Sequence, residues 1–329
     1  MGALEVPSAP VPLVAVVGPT ASGKSALAVR IALTYEGEVL NFDSVQVYRG
    51  FDVGSGKLPL AERHGVPHHL TDLAGPEETF TSGDYRREGL RVLDAVRRRG
   101  HLPVLAGGSG LYLRALLLGL FEGPPRSQEL RRRLSDLAGR RGREFLHRVL
   151  ARLDPASARR MHPRDTQKII RALEVCLLTR RPLSDLLGGG RVGLGGFRVL
   201  KVGLNPARAE LVERINARVE RMFTAGLVDE VRAALQGGAG ASAPLGALGY
   251  RQARAFVEGA ASRDEAVRGT QSATRQYAKR QMTWFRREPG VKWFEGFGDD
   301  PSIQGQVLDW LGRMLPGRGS ESSILESGT

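Results

Sequence analysis

The chain has 329 residues, 41% hydrophobic and 25% charged, enough apolar material for a sizeable core. Its net charge of +13 comes with Arg far outnumbering Lys, which points to a polyanionic partner, the bland alternative being an Arg-rich composition without purpose. No apolar run reaches the ~18–20 residues of a membrane span, Met1 to Pro12 shows no secretion signal, and one cysteine leaves no internal disulfide and no multi-Cys zinc site, so a cytoplasmic protein is expected.

The first predicted element is a strand, Leu13 to Val17. It runs into Gly18-Pro19-Thr20-Ala21-Ser22-Gly23-Lys24-Ser25, and a helix is predicted from Gly23 to Tyr35. This is G-x-x-x-x-G-K-[ST] between a strand and a helix, the context of a phosphate-binding loop. The glycines let backbone N–H groups converge on an anion, and the new helix turns its positive end to the same point. Lys24 adds a point charge and the Ser25 hydroxyl can reach Mg²⁺, so the loop is expected to bind a di- or triphosphate.

A second strand, Val39 to Phe42, ends in Asp43-Ser44. Asp43 can be read as a Mg²⁺-organising carboxylate, as a general base, or as a turn residue; the polar string through Gln46, Tyr48 and Arg49 favours function. His68-His69 lacks partners at ligand spacing and reads as structural. A helix from Asp84 to Arg99 precedes a third strand, Leu102 to Ala106, tipped by Gly107-Gly108-Ser109-Gly110. Helices between short apolar strands imply a parallel sheet, whose ligands sit at the strands' carboxyl ends. The three polar tips should therefore share one crevice.

After Pro124-Pro125 the pattern becomes helical and Arg-rich, with doublets or triplets at 131–133, 140–141, 159–160 and 180–181. Cys176, among Leu and Val, reads as core packing. A glycine-rich stretch, 188–196, leads to a strand at Phe197 to Leu204. Asn205 is the expected N-cap of one long helix running to about Gln236. On it Arg214, Arg218 and Arg221 share a face beside a stripe of Leu211, Ile215, Val219 and Met222; an Arg at the stripe's edge can reach a buried pyrophosphate, but spacing alone favours a solvated face paired with Glu210 and Glu213. Two further helices are predicted, the second from Asp264 to Arg287, where bases and aromatics interleave either for phosphate contact plus base stacking or as an amphipathic helix with Tyr277, Trp284 and Phe285 in the core and Lys/Arg outward; both can hold at once. The expected fold class is α/β, a P-loop parallel sheet flanked by helices with an all-helical basic insertion. Residues 1–125 and 197–315 form the expected core, 126–196 the insertion and 316–329 a disordered tail.

Taken together the strings resemble the tRNA dimethylallyltransferases, also called tRNA isopentenyltransferases, in their bacterial form. The matching residues are the phosphate loop; Asp43-Ser44 with Val47 to Gly50; Pro67 to Leu70; Gly107 to Ser109; His162-Pro163 with Asp165 and Gln167 to Val175; Leu248 to Arg251; and Thr274-Arg275 with Ala278 to Gln281 and Thr283-Trp284. Ser25 and Ser109 stand where the family often has Thr, and Arg164 where Asn is common.

The resemblance implies transfer of a prenyl group from dimethylallyl diphosphate to N6 of the adenosine just 3′ of the anticodon. The loop, Gly18 to Ser25, would then hold diphosphate rather than ATP. Lys24, Mg²⁺ on Ser25, and Arg218 would neutralise the leaving group, Asp43 would be the base, and Ser109 would orient Asp43 or bond the substrate. The stretches it assigns to tRNA are Asp43, Ser44, Val45 and Gln46; Ser109; Arg131; Gln167, Lys168, Ile169, Ile170 and Arg171; Gly246, Ala247, Leu248, Gly249, Tyr250 and Arg251; and Lys279, Arg280, Gln281, Met282, Thr283, Trp284, Phe285 and Arg286. The partner is the anticodon stem-loop, no membrane is involved, and a monomer is expected. A P-loop kinase or NTPase is the chief alternative, and an RNA-binding protein with a vestigial loop a third.

Overall fold

A computed structural model describes residues 10–121, 123–188, 190–315 and 317; the expected tail, 316–329, otherwise lies outside them. Two compact units result, one from the described parts of Met1–Leu116 and Gly195–Thr329, the other Leu117–Leu194.

The first unit is built on six parallel strands, β1 (Val11–Val17), β2 (Gly37–Asn41), β3 (His68–His69), β4 (Leu102–Ala106), β5 (Phe197–Leu204) and β6 (Val291–Phe294), in the order β3-β2-β4-β1-β5-β6. Helices α1 (Lys24–Thr34), α2 (Ser82–Arg98) and α3 (Gly110–Leu118) alternate with the early strands. The continuous Val/Leu/Ala runs of β1 and β4 are buried on both faces, as a parallel sheet between helices demands. Register aligns the strand ends: Val16 and Asn41 both pair with Ala106. Later helices are α9 (Arg208–Thr224), α10 (Leu227–Gln236), α11 (Tyr250–Val257), α12 (Arg263–Phe285) and α13 (Pro301–Met314), counted after the five of the second unit. One core cluster joins Val14, Val16 and Val202 of the sheet to Leu27 and Ile31 of α1 and Val307 and Leu311 of α13.

Several elements differ from the sequence reading. The helix expected from Asn205 to Gln236 is two helices, because Gly226 takes a left-handed φ of 110° that ends one and starts the next. Asn205 is not its cap; its backbone N–H extends the β5–β6 ladder to Phe294, its side chain donates to Glu295 at 2.7 Å, and Ala207 is the N-cap. Phe223, not Met222, completes the buried stripe with Leu211, Ile215 and Val219. The strand β6 is four residues long and carries too little pattern to be seen in isolation. Among the described residues no helix is long and apolar enough to cross a membrane.

The second unit is helical: α4 (Gln128–Arg141), α5 (Arg143–Leu153), α6 (Pro155–Arg160), α7 (Thr166–Thr179) and α8 (Leu183–Gly188). Leu146, Leu150, Ile169, Ile170, Leu173 and Cys176 lie in its core. At its edge the Glu174 carboxylate, fully buried, accepts from Ser127 N–H at 2.7 Å, Arg131 Nε at 3.2 Å and Arg171 Nη1 at 2.6 Å. Burial alone would raise the Glu174 pKa, but these donors hold it below its ordinary value.

Candidate active site

The three polar strand tips do meet. Residues of the phosphate loop from Thr20 onward, Asn41 at the end of β2 and Asp43 after it, and Gly107 and Gly108 after β4 line one cavity of about 380 Å³. The loop keeps its shape because Gly23 sits at φ 80° as the N-cap of α1, where an added Cβ would lie 2.6 Å from Asp299 Oδ1. The Ser22 hydroxyl is fully buried in the loop and has no hydrogen-bond partner among the described residues.

Lys24 lines the cavity and donates to the carbonyl of Pro19 at 2.6 Å. Burial, then the charge of Arg218, lowers its pKa to about 7, while Asp43 pulls the other way. Burial likewise lowers the Arg218 pKa against the raising influence of Asp43. Four basic side chains, Lys24, Lys57, Arg218 and Arg221, line the cavity against two carboxylates, Asp43 and Glu62, a surplus of basic groups that a diphosphate would balance. The Arg218 guanidinium lies so close to Gly56, at φ 65°, that a side chain there would collide with it.

Arg214 and Arg218 go to different places. Arg214 is spent on Asp299, at 2.7 Å, and stacks 3.7 Å from the Phe297 ring centroid. Arg218 faces the cavity, with Arg221 at its edge. The solvated-face reading thus fails for Arg218, because α9 packs its flank, and not only its apolar stripe, against the loop after Asp43.

Asp43 is held by its neighbours. Its Oδ1 accepts from the N–H of Val45 at 2.9 Å and Gln46 at 3.4 Å, and its own N–H donates to Asn41 Oδ1 at 3.0 Å. Among the described residues these bonds use Oδ1 and the backbone N–H and leave Oδ2 out. A second cavity, about 260 Å³, adjoins the first; Thr20, Asp43, Ser55, Arg218, Met222 and Tyr277 line both. Ser44, Val45, Ala247, Leu248, Gly249 and Arg280 line the second alone. Asp43 and Arg218 thus stand on the wall common to two chambers, one over the phosphate loop and one beyond it.

Other expected residues divide by burial. Ser109 accepts from Tyr112 N–H at 3.4 Å in the first turn of α3, and the bonds that orient Asp43 come from the backbone instead. Gln281 is buried; its Oε1 accepts from Thr20 N–H at 2.8 Å and its Nε2 donates to the Gly108 carbonyl at 3.0 Å, so it ties the phosphate loop to the β4 tip. Tyr277 donates to the same carbonyl at 3.2 Å. Tyr250 and Phe285 are fully buried, as are Ile169 and Ile170, so these four side chains are core rather than RNA-facing. Met282 is half-buried. Gly246, Arg251, Lys279, Arg280, Thr283, Trp284 and Arg286 are exposed, with the Arg114 guanidinium 4.7 Å above the Trp284 ring. In the helical unit Gln167 and Lys168 are exposed, whereas Arg131 and Arg171 are bound to Glu174. His69 bonds Glu38 at 2.5 Å, in keeping with a structural role.

The donor set suits a hard cation held mainly by substrate. The Ser25 hydroxyl, Asp43 and Glu62 present oxygens to one cavity, and among the described residues no group of three or more His, Cys, Asp or Glu could hold a metal alone. That is the usual situation of Mg²⁺, which keeps few protein ligands and shares phosphate oxygens.

A parallel sheet whose first loop has the G-x-x-x-x-G-K-[ST] sequence and lines a cavity shared with an aspartate defines a P-loop α/β enzyme acting on a phosphorylated substrate. The family is narrower. A model of the IPP transferase family matches residues 46–288, and the chain belongs to that family. It is 52% identical over 305 residues to a protein of Solibacter usitatus named tRNA dimethylallyltransferase, covering 92% of this chain and 99% of that one. A protein of the same name from Koribacter versatilis is 49% identical over 296 residues, covering 90% and 96%. The crystal structure of the full-length tRNA isopentenylpyrophosphate transferase of Bacillus halodurans matches with TM-score 0.67 at 34% identity, covering 92% of this chain and 96% of that one. The fold also matches, with TM-score 0.78 at 23% identity, a eukaryotic dimethylallyltransferase described as acting on tRNA, covering 95% and 81%.

Proposed function

We propose that the protein is a tRNA dimethylallyltransferase, moving the prenyl group of dimethylallyl diphosphate to N6 of the adenosine 3′ of the anticodon. The observation that carries this is the common wall: a carboxylate and an arginine shared by a phosphate-loop chamber and a neighbouring chamber. The diphosphate occupies the first and the extruded base the second, with the reacting atoms meeting at Asp43. An adenine inside a stacked anticodon loop cannot reach a carboxylate recessed between two cavities, so the nucleotide must swing out.

The adenine amine is a weak nucleophile because its lone pair is delocalised into the ring. N6 attacks C1 of the dimethylallyl group. The N6–C1 bond forms as the C1–O bond breaks, the bonding pair leaves on diphosphate, and a proton passes from N6 to Asp43. Negative charge grows on the leaving oxygens, where loop amides, Lys24 and Arg218 are aimed. Mg²⁺, when bound through Ser25 and the diphosphate, adds positive charge at the same place. Exposed Lys and Arg of α12, with Gln167 and Lys168 of the helical unit, supply contacts to tRNA phosphates. A tRNA substrate supports a cytoplasmic site for the reaction.

Purified protein given dimethylallyl diphosphate and unmodified tRNA should add one prenyl mass to the tRNA. ATP alone should give no turnover. ADP release without a tRNA mass gain would favour the P-loop kinase or NTPase reading and sink this one.

A further inference from the structure

Glu230, on α10, belongs to none of the strings that carry the family resemblance. Its carboxylate collects three successive backbone N–H groups of one loop: Asp52 at 2.8 Å, Val53 at 2.7 Å and Gly54 at 3.2 Å. The Tyr250 hydroxyl donates to the same carboxylate at 2.7 Å and accepts from the next N–H, Ser55, at 3.1 Å. Four consecutive amides thus end on two side chains from α10 and α11. A concave run of N–H groups closed on a carboxylate is a strong, charge-assisted anchor.

The far side of this loop is the site. Ser55 lines both chambers, and the carbonyls of Ser55 and Gly56 accept from Gln46 Nε2 at 3.1 and 3.2 Å. Gly56 is the surface against which the Arg218 guanidinium lies. Arg218 is on α9 and Glu230 on α10, so the two helices hold the loop from opposite sides.

We propose that Glu230, seconded by Tyr250, is a positioning residue for prenyl transfer: it fixes loop 52–56 and thereby the place of the Arg218 guanidinium at the diphosphate. The proposal rests on the prenyl-transfer reading for its rate readout, but not for its binding readout. Tyr250, expected at the tRNA surface, acts instead from beneath the site.

The test is a mutant cycle in the full chain with Glu230→Gln, Tyr250→Phe, Arg218→Ala and the doubles with Arg218→Ala. Tyr250→Phe removes one oxygen and keeps the buried ring, so it carries the cycle should Glu230→Gln unfold. Two quantities are measured, affinity for inorganic diphosphate and the single-turnover rate of transfer to tRNA. Each single variant should lower both about tenfold, with tRNA affinity changed less than about twofold. In the Arg218→Ala background the same substitutions should add less than about twofold, because the group they position is gone. Full, additive losses on top of Arg218→Ala would overturn the proposal, as would single variants with unchanged diphosphate affinity. A wild-type protein that binds diphosphate but leaves tRNA unmodified would refute the transferase reading, while the diphosphate cycle would still decide the role of Glu230.

Discussion

Lys24 shows how one residue's chemistry depends on what stands beside it. Its pKa of about 7, against an ordinary 10.5, arises from burial and from Arg218. Between those two values the folded protein binds fewer protons than the unfolded chain, so this group's contribution to stability rises as pH rises from about 7 toward 10.5. A bound diphosphate reverses the balance by favouring the ammonium. Binding dimethylallyl diphosphate at pH about 8 should therefore take up close to one proton. Calorimetry in buffers of different ionisation enthalpy measures this, and Lys24→Ala should abolish the uptake and weaken diphosphate binding far more than tRNA binding. Equal losses for both ligands would contradict the division of labour. The phosphate loop was fully legible from its eight residues because the motif encodes backbone geometry as well as charge. Arg214 and Arg218 were not separable, because i and i+4 positions share a face and only the tertiary partner, Asp299 for one and the cavity for the other, tells them apart.

At the scale of elements, two carboxylates each organise a helix or strand edge. Glu38 on β2 is nearly fully buried, which pushes its pKa up, yet bonds from Arg99, His69 and His101 bring it down to about 2. The stability from this cluster is present above the unfolded value near 4.5 and is lost as pH falls toward 2. Glu38→Gln should cost about 3 kcal/mol at neutral pH and flatten the acid side of the stability profile between those limits, as read by urea unfolding. In the helical unit, Glu174 does the same for Arg131 and Arg171. Arg171→Gln should lower the unfolding temperature of that unit, with a cost of about 2 kcal/mol, and leave the salt slope of tRNA binding nearly unchanged. Substituting the exposed Lys279 and Arg280 by Gln should instead reduce that slope by about 1 per charge, measured from affinity against salt concentration. Arg131 and Arg171, expected at tRNA from the resemblance, both bond Glu174, which is three positions from Arg171 on α7 and meets Arg131 from α4; that Glu174 is buried follows from the packing of α4 against α7, which no local pattern reveals.

For the whole molecule, the strand-and-helix alternation located the sheet and its three polar tips, and the register of β1, β2 and β4 brings those tips to one crevice. What the alternation did not disclose is that the crevice has two chambers. Their common wall is assembled from the phosphate loop at Thr20, β2's tail, the loop at Ser55, α9 and α12, five segments spread over more than two hundred residues. Gln281 and Glu230 matter for the same reason: each bonds a loop far away in the chain, and neither carries a pattern of its own. In the proposed reaction this wall grips the departing diphosphate on one side and takes a proton on the other.

The most direct test is the single-turnover rate of prenyl transfer by Asp43→Asn, measured beside its affinity for dimethylallyl diphosphate. The amide can still accept from Val45 and Gln46, and it removes the negative charge that offsets Lys24 and Arg218. Transfer should fall by about a thousandfold while the diphosphate binds no more weakly than before. A variant that transfers at the wild-type rate would show that the proton goes elsewhere and that the shared wall is not the reaction centre.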